Sequence, residues 1–300
     1  MKKLVYISIV LAGVFMFSGC FRDDSEELKE KERRALKQYL NDNNITQEPT
    51  ASGLYYIPVT DTVGLSPILQ DLVEFEYTGR LVDGQVFGTT DSAIAKDEHI
   101  YYEEIVYGPV RLILANAISG LSEGFQLMQE GEKAKFILPS DIAYGGNSIG
   151  LIKPYSTLIF DIHLQHVIAD PAGYELNLIR DFMDSNNYDV EPTESGLYYI
   201  EKVAGDSILI KDGNGVDLYY RGYFLDGREF ASNFDDAAPY RVLIPDESLI
   251  KGWNEGLQLM SKGSEGVLIV PYDLAYGEFA NGSIGPYMTL VFDIKIENVR

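Results

Sequence analysis

The amino-acid sequence predicts an α+β protein of two tandem domains, each an antiparallel sheet with one short helix packed on a face. Three observations lead to this fold class. The chain has 300 residues, the length of about two ordinary domains. Apolar residues make up 46% of it, which is enough to fill two cores. A long internal repeat divides the chain into halves in which strand-like alternation dominates.

The repeat is a duplication of a whole domain. Pro-Thr-Ala-Ser-Gly-Leu-Tyr-Tyr-Ile at 49–57 returns as Pro-Thr-Glu-Ser-Gly-Leu-Tyr-Tyr-Ile at 192–200, an offset of 143 residues (192 minus 49). Solenoid and propeller repeats have periods of about 20 to 50 residues, so this longer period indicates duplicated domains. We predict the first domain over 35–168 and the second over 169–300, each with a leading helix.

The first copy carries an insertion. Gly-Leu-Ser-Glu-Gly at 120–124 matches Gly-Trp-Asn-Glu-Gly at 252–256 with an offset of 132 (252 minus 120), so 11 extra residues (143 minus 132) precede it in copy one. They fall within 89–108, where we predict a long surface loop. The aromatic and acidic residues of this loop leave a second interpretation open, in which it binds another polypeptide.

Residues 1–19 predict a secretory signal peptide. Lys2 and Lys3 precede an apolar run over 4–17, whose 14 residues are short of the roughly 20 that cross a bilayer as a helix. The sequence Phe-Ser-Gly-Cys that ends at Cys20, the only cysteine, resembles the lipobox of bacterial lipoproteins. The resemblance implies an acylated Cys20 that anchors the chain in the bacterial cell envelope, at the outer membrane, on the periplasmic face or the cell surface. The alternative is an ordinary signal peptide followed by an incidental cysteine.

The segment over 20–34 is rich in charge and predicts a solvated spacer between the anchor and the folded part. Its acidic start also resembles export signals of surface lipoproteins in some Gram-negative bacteria. Over the whole chain, 46 acidic residues outnumber 24 basic ones, a net charge of −22, so the surface would repel a nucleic-acid backbone. We therefore expect a membrane partner through lipid and no nucleic-acid partner.

Each domain begins with a predicted amphipathic helix. Apolar residues recur there at helical spacing, as Leu36 and Leu40 in the first copy and as Tyr174, Leu178 and Phe182 in the second. Asp170 and Pro171 supply an N-cap and a first-turn proline for the second helix.

The rest of each copy predicts strands and one helix. Strand-like alternation occurs at Val73, Phe75 and Tyr77 and at Leu290, Phe292, Ile294 and Ile296. Helical spacing of three and four occurs at Ile118, Leu121, Phe125 and Met128 and at Ile250, Trp253, Leu257 and Met260. Asp83 and Asp226 each precede glycine between apolar runs, which predicts hairpin turns.

No pair of nucleophile and base is evident, because the chain has only one cysteine and three histidines. His163 and His166 lie on the last strand of copy one with opposite parity, which predicts that they point to different faces. No metal site and no cofactor are predicted. What remains in copy two is a set of aromatic and aliphatic residues, which is interpreted either as core or as a pocket: Tyr220, Phe230, Ile250, Trp253, Tyr276, Ile284 and Phe292.

The motifs around these residues resemble an FKBP-type peptidyl-prolyl isomerase. They are Tyr-x-Gly-x-x-x-Asp-Gly-x-x-Phe at 220–230, Leu-Ile-Lys-Gly-Trp-Asn-Glu-Gly at 249–256, the segment 271–277 ending in Ala-Tyr-Gly, and Pro-Tyr-Met-Thr-Leu-Val-Phe-Asp at 286–293. Corresponding motifs in copy one make it a second, more divergent member. Together the two resemblances cover most of the chain after the leader.

The resemblance implies a twisted antiparallel sheet wrapped around a short helix, with a pocket between them. Trp253 would form the pocket floor, Tyr276 would direct its hydroxyl to a peptide carbonyl, and Ile284 would cover the proline ring. The walls would be Tyr220, Phe230, Ile250 and Phe292. In copy one the matching positions are Tyr77, Phe87, Ile118, Tyr144 and Phe160. No cofactor is implied, and the partners would be proline-containing polypeptide clients.

Two departures from the family pattern stand out. The acidic residue that usually follows the phenylalanine of the Asp-Gly-x-x-Phe motif is Ala231 in copy two and Gly88 in copy one. In copy one the tryptophan position is Leu121. We therefore expect domain 2 to be the catalyst and domain 1 to be a weaker enzyme or a peptide-binding module.

The sequence thus leads to one functional hypothesis and two alternatives. The first is a membrane-anchored peptidyl-prolyl cis-trans isomerase that assists the folding of exported proteins, in which changes at Trp253 and Tyr276 reduce turnover and leave the fold intact. The second is a non-catalytic peptide-binding or holdase chaperone with degenerate pockets. The third is a purely structural surface lipoprotein.

Overall fold

The computed structural model describes residues 24–206 and 208–300, which form two compact units. Among the described residues, the first unit comprises 24–103 and 107–169, and the second comprises 104–106 with 170–300. The predicted signal peptide and Cys20 lie outside the described residues. The second unit's main segment begins at Asp170, close to the predicted domain boundary.

The first domain contains three helices and six strands. In chain order they are α1 (Asp24–Asp42), β1 (Tyr55–Pro58), β2 (Leu72–Leu81), β3 (Val86–Thr89), α2 (Ser92–Asp97), β4 (Val110–Ile113), α3 (Ser119–Leu127), β5 (Lys133–Leu138) and β6 (Leu158–Ile168). The strands form one antiparallel sheet in the order β1-β5-β6-β2-β3, and β4 also pairs with β2.

The second domain repeats this plan. Its elements are α4 (Pro171–Ser185), β7 (Tyr198–Val203), β8 (Gly215–Phe224), β9 (Glu229–Ser232), β10 (Tyr240–Leu243), α5 (Lys251–Gln258), β11 (Glu265–Val270) and β12 (Leu290–Val299). The antiparallel sheet has the order β10-β8-β12-β11-β7, with β9 paired to β8. The predicted α+β class and the two tandem domains are confirmed.

In each domain the short helix packs closely against the sheet, because glycines of the helix face the strand beneath it. A Cβ on Gly252 or Gly256 of α5 would meet the side chains of Val270 and Leu268 on β11. In the first domain Gly120 and Gly124 of α3 face β5 in the same way. The Gly-x-x-x-Gly spacing in both copies therefore reflects close helix–sheet packing.

The face that α4 buries differs from the prediction. Its buried residues are Glu175, Ile179 and Met183, whereas the predicted Tyr174, Leu178 and Phe182 are only half-buried. Ile179 and Met183 pack with sheet residues Ile200, Val267, Ile269 and Val291. The predicted face was displaced by one residue along the helix. The prediction relied on apolar residues at helical spacing, and the buried face begins with a glutamate.

The leading helix of the first domain begins within the segment predicted as a solvated spacer. α1 starts at Asp24, and Glu32 forms hydrogen bonds with Ser140 and Thr157. Leu36 and Leu40 are half-buried, as the helical spacing predicted. The charged residues from Asp24 to Arg34 are therefore helical.

The insertion of the first domain contains a helix that was not predicted. The Asp91 carboxylate caps α2 by accepting the N–H groups of Ala93 (2.7 Å) and Ile94 (3.2 Å), and Ala95 is buried. The rings of Tyr101 and Tyr107 stack at 5.2 Å. Six residues are too few for a helical period to be visible in the sequence, so a loop was expected.

Within the described residues, no helix combines the length and the apolar character needed to cross a membrane.

Candidate functional site

A β-hairpin in each domain carries two of the predicted pocket aromatics. In the second domain β8 holds Tyr220 and β9 holds Phe230, and the turn between them contains Asp226 and Gly227. The Asp226 carboxylate accepts the N–H of Arg228 at 3.0 Å, and Gly227 has a φ of 87°. The predicted hairpin turns are confirmed, with Asp83 and Gly84 at the same place in the first domain.

Trp253 lies at the centre of the second domain's aromatic cluster. It projects from α5, is 5% exposed, and meets the rings of Tyr220 (5.0 Å, 85°) and Phe292 (5.2 Å, 83°) edge to face. Phe230 meets Phe292 at 5.7 Å and 86°. Edge-to-face contacts are favoured because the positive edge of one ring meets the negative face of the other. The indole N–H of Trp253 is buried and has no hydrogen-bond partner among the described residues.

The structure brings six of the seven predicted residues of copy two into one apolar cluster: Tyr220, Phe230, Ile250, Trp253, Ile284 and Phe292. Ile250 is the residue before α5, and Ile284 comes from the loop between β11 and β12. Their shared cluster is an observation, whereas their roles as substrate contacts stay predictions.

Tyr276 differs from the other six because it stands at the edge of the cluster. It lies on the same loop as Ile284, and 37% of its surface is exposed. Burial raises the pKa of Tyr220, and the nearby phenol and carboxyl groups of Tyr240, Asp236 and Tyr276 add to the effect. Tyr220 therefore stays protonated at neutral pH.

Tyr240 belongs to the cluster and was missed by the sequence reasoning. It lies on β10, and its ring meets Tyr220 at 6.0 Å and Trp253 at 6.4 Å. β10 has four residues and a mostly exposed burial pattern, so alternation gave no signal there. The sequence Tyr-Arg-Val-Leu could have suggested a strand, but not which strand it would join.

The first domain assembles the corresponding set. Tyr77, Phe87, Ile118, Tyr144 and Phe160 all contact one core cluster. Phe87 meets Phe160 at 5.4 Å and 82°, and Tyr77 meets Phe160 at 6.0 Å. Burial raises the pKa of Tyr77 to about 12, with a further contribution from Tyr144.

Leu121 stands where the second domain has its tryptophan, whereas two other repeat positions carry larger side chains in the first domain. Phe125 is fully buried and contacts Phe75 at 4.8 Å, whereas the second domain has Leu257 and Leu218 at these positions of the repeat. The first domain therefore keeps an aromatic core, but without the broad indole surface at the pocket position.

Two carboxylates of the sheets are paired with basic or hydroxyl groups, whereas Asp236 lies near Tyr220. Asp293 accepts Arg221 at 2.6 Å and the Tyr223 hydroxyl at 3.2 Å, and Asp161 pairs with Arg80 and Lys135. At the positions where the family usually has an acid, Gly88 and Ala231 supply no polar side chain. The pocket walls are therefore apolar, with tyrosine hydroxyls as their main polar groups.

The two histidines of β6 share one face, which corrects the prediction. A bulge in the pairing with β2 sets His163 opposite Glu76 and His166 opposite Glu74. Their Nδ1 atoms lie 3.4 Å from Glu76 and 3.3 Å from Glu130. Over residues 24–206 and 208–300, no three His, Cys, Asp or Glu side chains are placed to hold a metal ion.

An apolar cup with few hydrogen-bond donors suits the binding of a compact apolar group such as a proline ring. It offers no general base beside a nucleophile, so the arrangement favours a reaction without a covalent intermediate.

Comparison with known proteins agrees with this geometry. A family model described as FKBP-type peptidyl-prolyl cis-trans isomerase matches residues 66–165 and 207–297. A probable FKBP-type isomerase, FkpA, of Neisseria meningitidis serogroup B is 38% identical over 147 residues, which are 49% of this chain and 48% of that protein. Human peptidyl-prolyl cis-trans isomerase FKBP10 is 29% identical over 232 residues, 77% of this chain and 34% of that protein.

One solved structure is also similar in sequence. The crystal structure of FkpA from Escherichia coli is 30% identical, covers 43% of this chain and 61% of its own, and has a TM-score of 0.39. The chain spans only 34% and 48% of the length of the two curated relatives above. The matched regions contain most strands of both sheets and all the predicted pocket residues, and the chain belongs to the FKBP-type peptidyl-prolyl cis-trans isomerase family.

Proposed function

We propose that this protein catalyses the cis–trans isomerisation of X-Pro bonds in exported polypeptides, mainly at the pocket of the second domain. The observation that carries the proposal is the apolar cup around Trp253, where Tyr220 and Phe292 meet the indole edge to face and Tyr276 stands exposed at the rim.

The proposed mechanism follows from the electronic structure of the peptide bond. Rotation about C–N is opposed by a barrier of about 18–20 kcal/mol, because the planar amide is stabilised by resonance. The twisted amide has lost this resonance and has less charge separation than the planar form. A dry apolar pocket therefore favours the twisted form over the planar one.

Each pocket residue has a proposed task in this scheme. Trp253 supports the proline ring, Phe230 and Phe292 exclude water from it, and the hydroxyl of Tyr276 donates to the peptide carbonyl before the proline. Donation at one end fixes the chain while the amide turns. The first domain, with Leu121 in place of tryptophan, is proposed as a weaker enzyme or as a peptide-binding module.

The proposed setting is the bacterial cell envelope, with Cys20 acylated and the chain anchored to a membrane. Each buried CH₂ of an acyl chain contributes about 0.8 kcal/mol, so several chains hold a protein stably. Growth with an alkyne-labelled fatty acid tests this: the natural protein should take up the label and Cys20→Ser should not. Equal labelling of both would refute the anchor.

The isomerase proposal is tested by measuring isomerisation on a panel of X-Pro peptides. The protein should accelerate isomerisation, and Tyr276→Phe and Trp253→Leu should each reduce kcat/KM. Trp253→Leu is preferred to alanine because leucine occupies the matching position of the first domain. A folded protein that matches the uncatalysed rate on every peptide would refute the activity.

A second candidate function is peptide binding without catalysis, as in a holdase. It is favoured by the apolar residues Gly88 and Ala231, which leave both pockets without the usual acidic side chain. Under this alternative the protein should suppress aggregation of an unfolded client without accelerating isomerisation. Loss of that effect in Trp253→Leu would assign it to the second pocket.

A further inference from the structure

Each leading helix inserts one carboxylate into its own domain, at matching positions of the repeat. Glu32 of α1 and Glu175 of α4 are separated by the same 143 residues (175 minus 32) as the repeated segments. Glu32 accepts three hydrogen bonds, from the N–H and the hydroxyl of Ser140, both at 2.7 Å, and from the hydroxyl of Thr157 at 2.9 Å. Glu175 is 3% exposed and accepts the N–H of Thr289 at 2.7 Å.

In the first domain these bonds hold both ends of the loop between β5 and β6. This loop carries the predicted pocket residue Tyr144, and it and its counterpart with Tyr276 are called the tyrosine loops. The carbonyl of Ser140 accepts the N–H of Gly145 at 2.9 Å, and Gly145 is the neighbour of Tyr144. Thr157 immediately precedes β6, which carries Phe160. One carboxylate thus connects the segments of two predicted pocket residues.

The second domain has the same loop arrangement. The carbonyl of Tyr272 accepts the N–H of Gly277 at 2.7 Å, and Gly277 follows Tyr276. The carbonyl of Gly277 accepts the N–H of Tyr287 at 2.9 Å. Thr289, which donates to the helix carboxylate, immediately precedes the strand that carries Phe292.

Glu175 also lies close to the first end of this loop. Burial raises the pKa of Tyr272, and nearby carboxylates, Glu175 among them, add to the effect. Tyr272 is at the repeat position of Ser140, which Glu32 binds directly. Glu32 therefore binds both ends of the tyrosine loop of its domain, and Glu175 binds the second end of its own through Thr289.

A carboxylate at this position has a cost that an apolar residue would avoid. Glu175 shares a helix face with Ile179 and Met183, one and two turns further on, which pack against the sheet. Burying a charge among such residues is unfavourable unless hydrogen bonds compensate. One bond that compensates Glu175 comes from the N–H of Thr289 at the loop end, and it is a directional contact that a leucine could not make.

We propose that Glu32 and Glu175 are positioning residues, which hold the loop that carries Tyr144 or Tyr276 in register with the rest of its pocket. The inference rests on the proposed isomerase function. A pocket hydroxyl that donates to a peptide carbonyl must be placed to within a fraction of an ångström, and a displacement of about 1 Å can cost up to a hundredfold in rate. The leading helix is thereby part of the pocket's support.

The test is a double-mutant cycle between Glu175 and Tyr276, read as kcat/KM on an X-Pro peptide. Glu175→Ala should lower kcat/KM about tenfold when Tyr276 is present, and less than about twofold in the Tyr276→Phe background, because the loop then has no hydroxyl to place. Glu175→Gln keeps an acceptor for the Thr289 N–H and should retain most of the activity. Asp181→Ala removes an exposed carboxylate from the same helix and is the matched control.

If Glu175 only stabilises the fold, the double-mutant cycle gives a different pattern of activity losses. Equal losses from Glu175→Ala in both backgrounds, or no loss in either, would overturn the positioning role while the isomerase function stands. If Glu175→Ala does not fold, Glu175→Asp takes its place in the cycle, since the shorter side chain withdraws the acceptor from Thr289. A folded parent without activity would overturn the proposed function and this inference together.

Amide hydrogen exchange tests how well the loop is held in place, independently of activity. Glu175→Ala should increase amide exchange within 272–289 more than elsewhere in the second domain, and Asp181→Ala should leave it unchanged. Uniformly faster exchange over the whole domain would show a general loss of stability and would contradict the proposal.

Discussion

Phe230 lies directly over Gly222. A Cβ built on Gly222 would be 2.6 Å from the ring of Phe230 and 2.9 Å from that of Phe292, which is closer than real Cβ atoms approach. In the first domain Gly79 and Phe87 have the same relationship. The glycine of the Tyr-x-Gly motif is therefore needed for a pocket aromatic to rest on the sheet.

Gly222→Ala should destabilise the second domain by about 1–3 kcal/mol, because the added methyl group forces both rings to shift. Gly215→Ala is the control on the same strand, where the nearest atom to a new Cβ is 4.0 Å away. Denaturant unfolding followed by the emission of the single tryptophan, Trp253, measures both variants. Similar unfolding midpoints for the two variants would contradict the steric argument.

Trp253→Ala should cost about 3–5 kcal/mol of folding stability, since it leaves a cavity beneath three aromatic rings. The sequence-based expectation was that changes at Trp253 leave the fold intact; the loss of stability predicted here follows because the side chain is 5% exposed and is part of the core. Circular dichroism during denaturant unfolding measures the loss. Tyr276→Phe, at the exposed rim, should change stability by less than about 0.5 kcal/mol.

Tyr77 should titrate well above an ordinary tyrosine. Its pKa is raised to about 12 by burial and then by Tyr144. The unfolded chain ionises this phenol near pH 10, so the stability that the protonated Tyr77 gives is present below about pH 10 and is lost as the pH rises to about 12. In an absorbance titration Tyr77→Phe should remove one late-ionising phenol, and Tyr144→Phe should lower the pKa of Tyr77. An unchanged late phase in Tyr77→Phe would refute the assignment.

Asp91→Ala should destabilise α2 by about 0.5–2 kcal/mol, since two N–H groups at the helix start lose their acceptor. Asp97→Ala is the control at the other end of the helix, where the carboxylate is exposed. Amide exchange at Ala93 and Ile94 is the direct measurement. Exchange there should rise in Asp91→Ala and stay unchanged in the control.

Several elements could be read from the sequence because their signals are local. The offset of the Pro-Thr-x-Ser-Gly-Leu-Tyr-Tyr-Ile segment revealed the duplication. The structure also explains why the threonine and the serine recur in this segment. Thr193 and Ser195 donate to the two carboxylate oxygens of Glu255 on α5 at 2.7 and 2.6 Å. The segment therefore fastens the helix to the start of the sheet, which no local pattern could indicate.

Other features could not be predicted from the sequence, because they depend on contacts between residues that are far apart in the chain. Glu175 reads as a surface residue, yet it is buried because Thr289, far along the chain, donates to it. Tyr240 joins the aromatic cluster only because β10 pairs with β8. His163 and His166 share a face because a bulge shifts the strand register.

The duplication, the α+β class, the hairpin turns and the aromatic positions of the two clusters could all be predicted from local patterns. These follow from repeat offsets, side-chain periodicity and turn residues, which act over a few positions of the chain. Tertiary contacts set the buried helix face, the exposure of Tyr276 beside the buried Trp253, and the hydrogen bonds from each leading helix to the tyrosine loop. Such relationships depend on contacts between residues distant in sequence, because a hydrogen bond or a ring contact forms only after the sheet has brought its partners together.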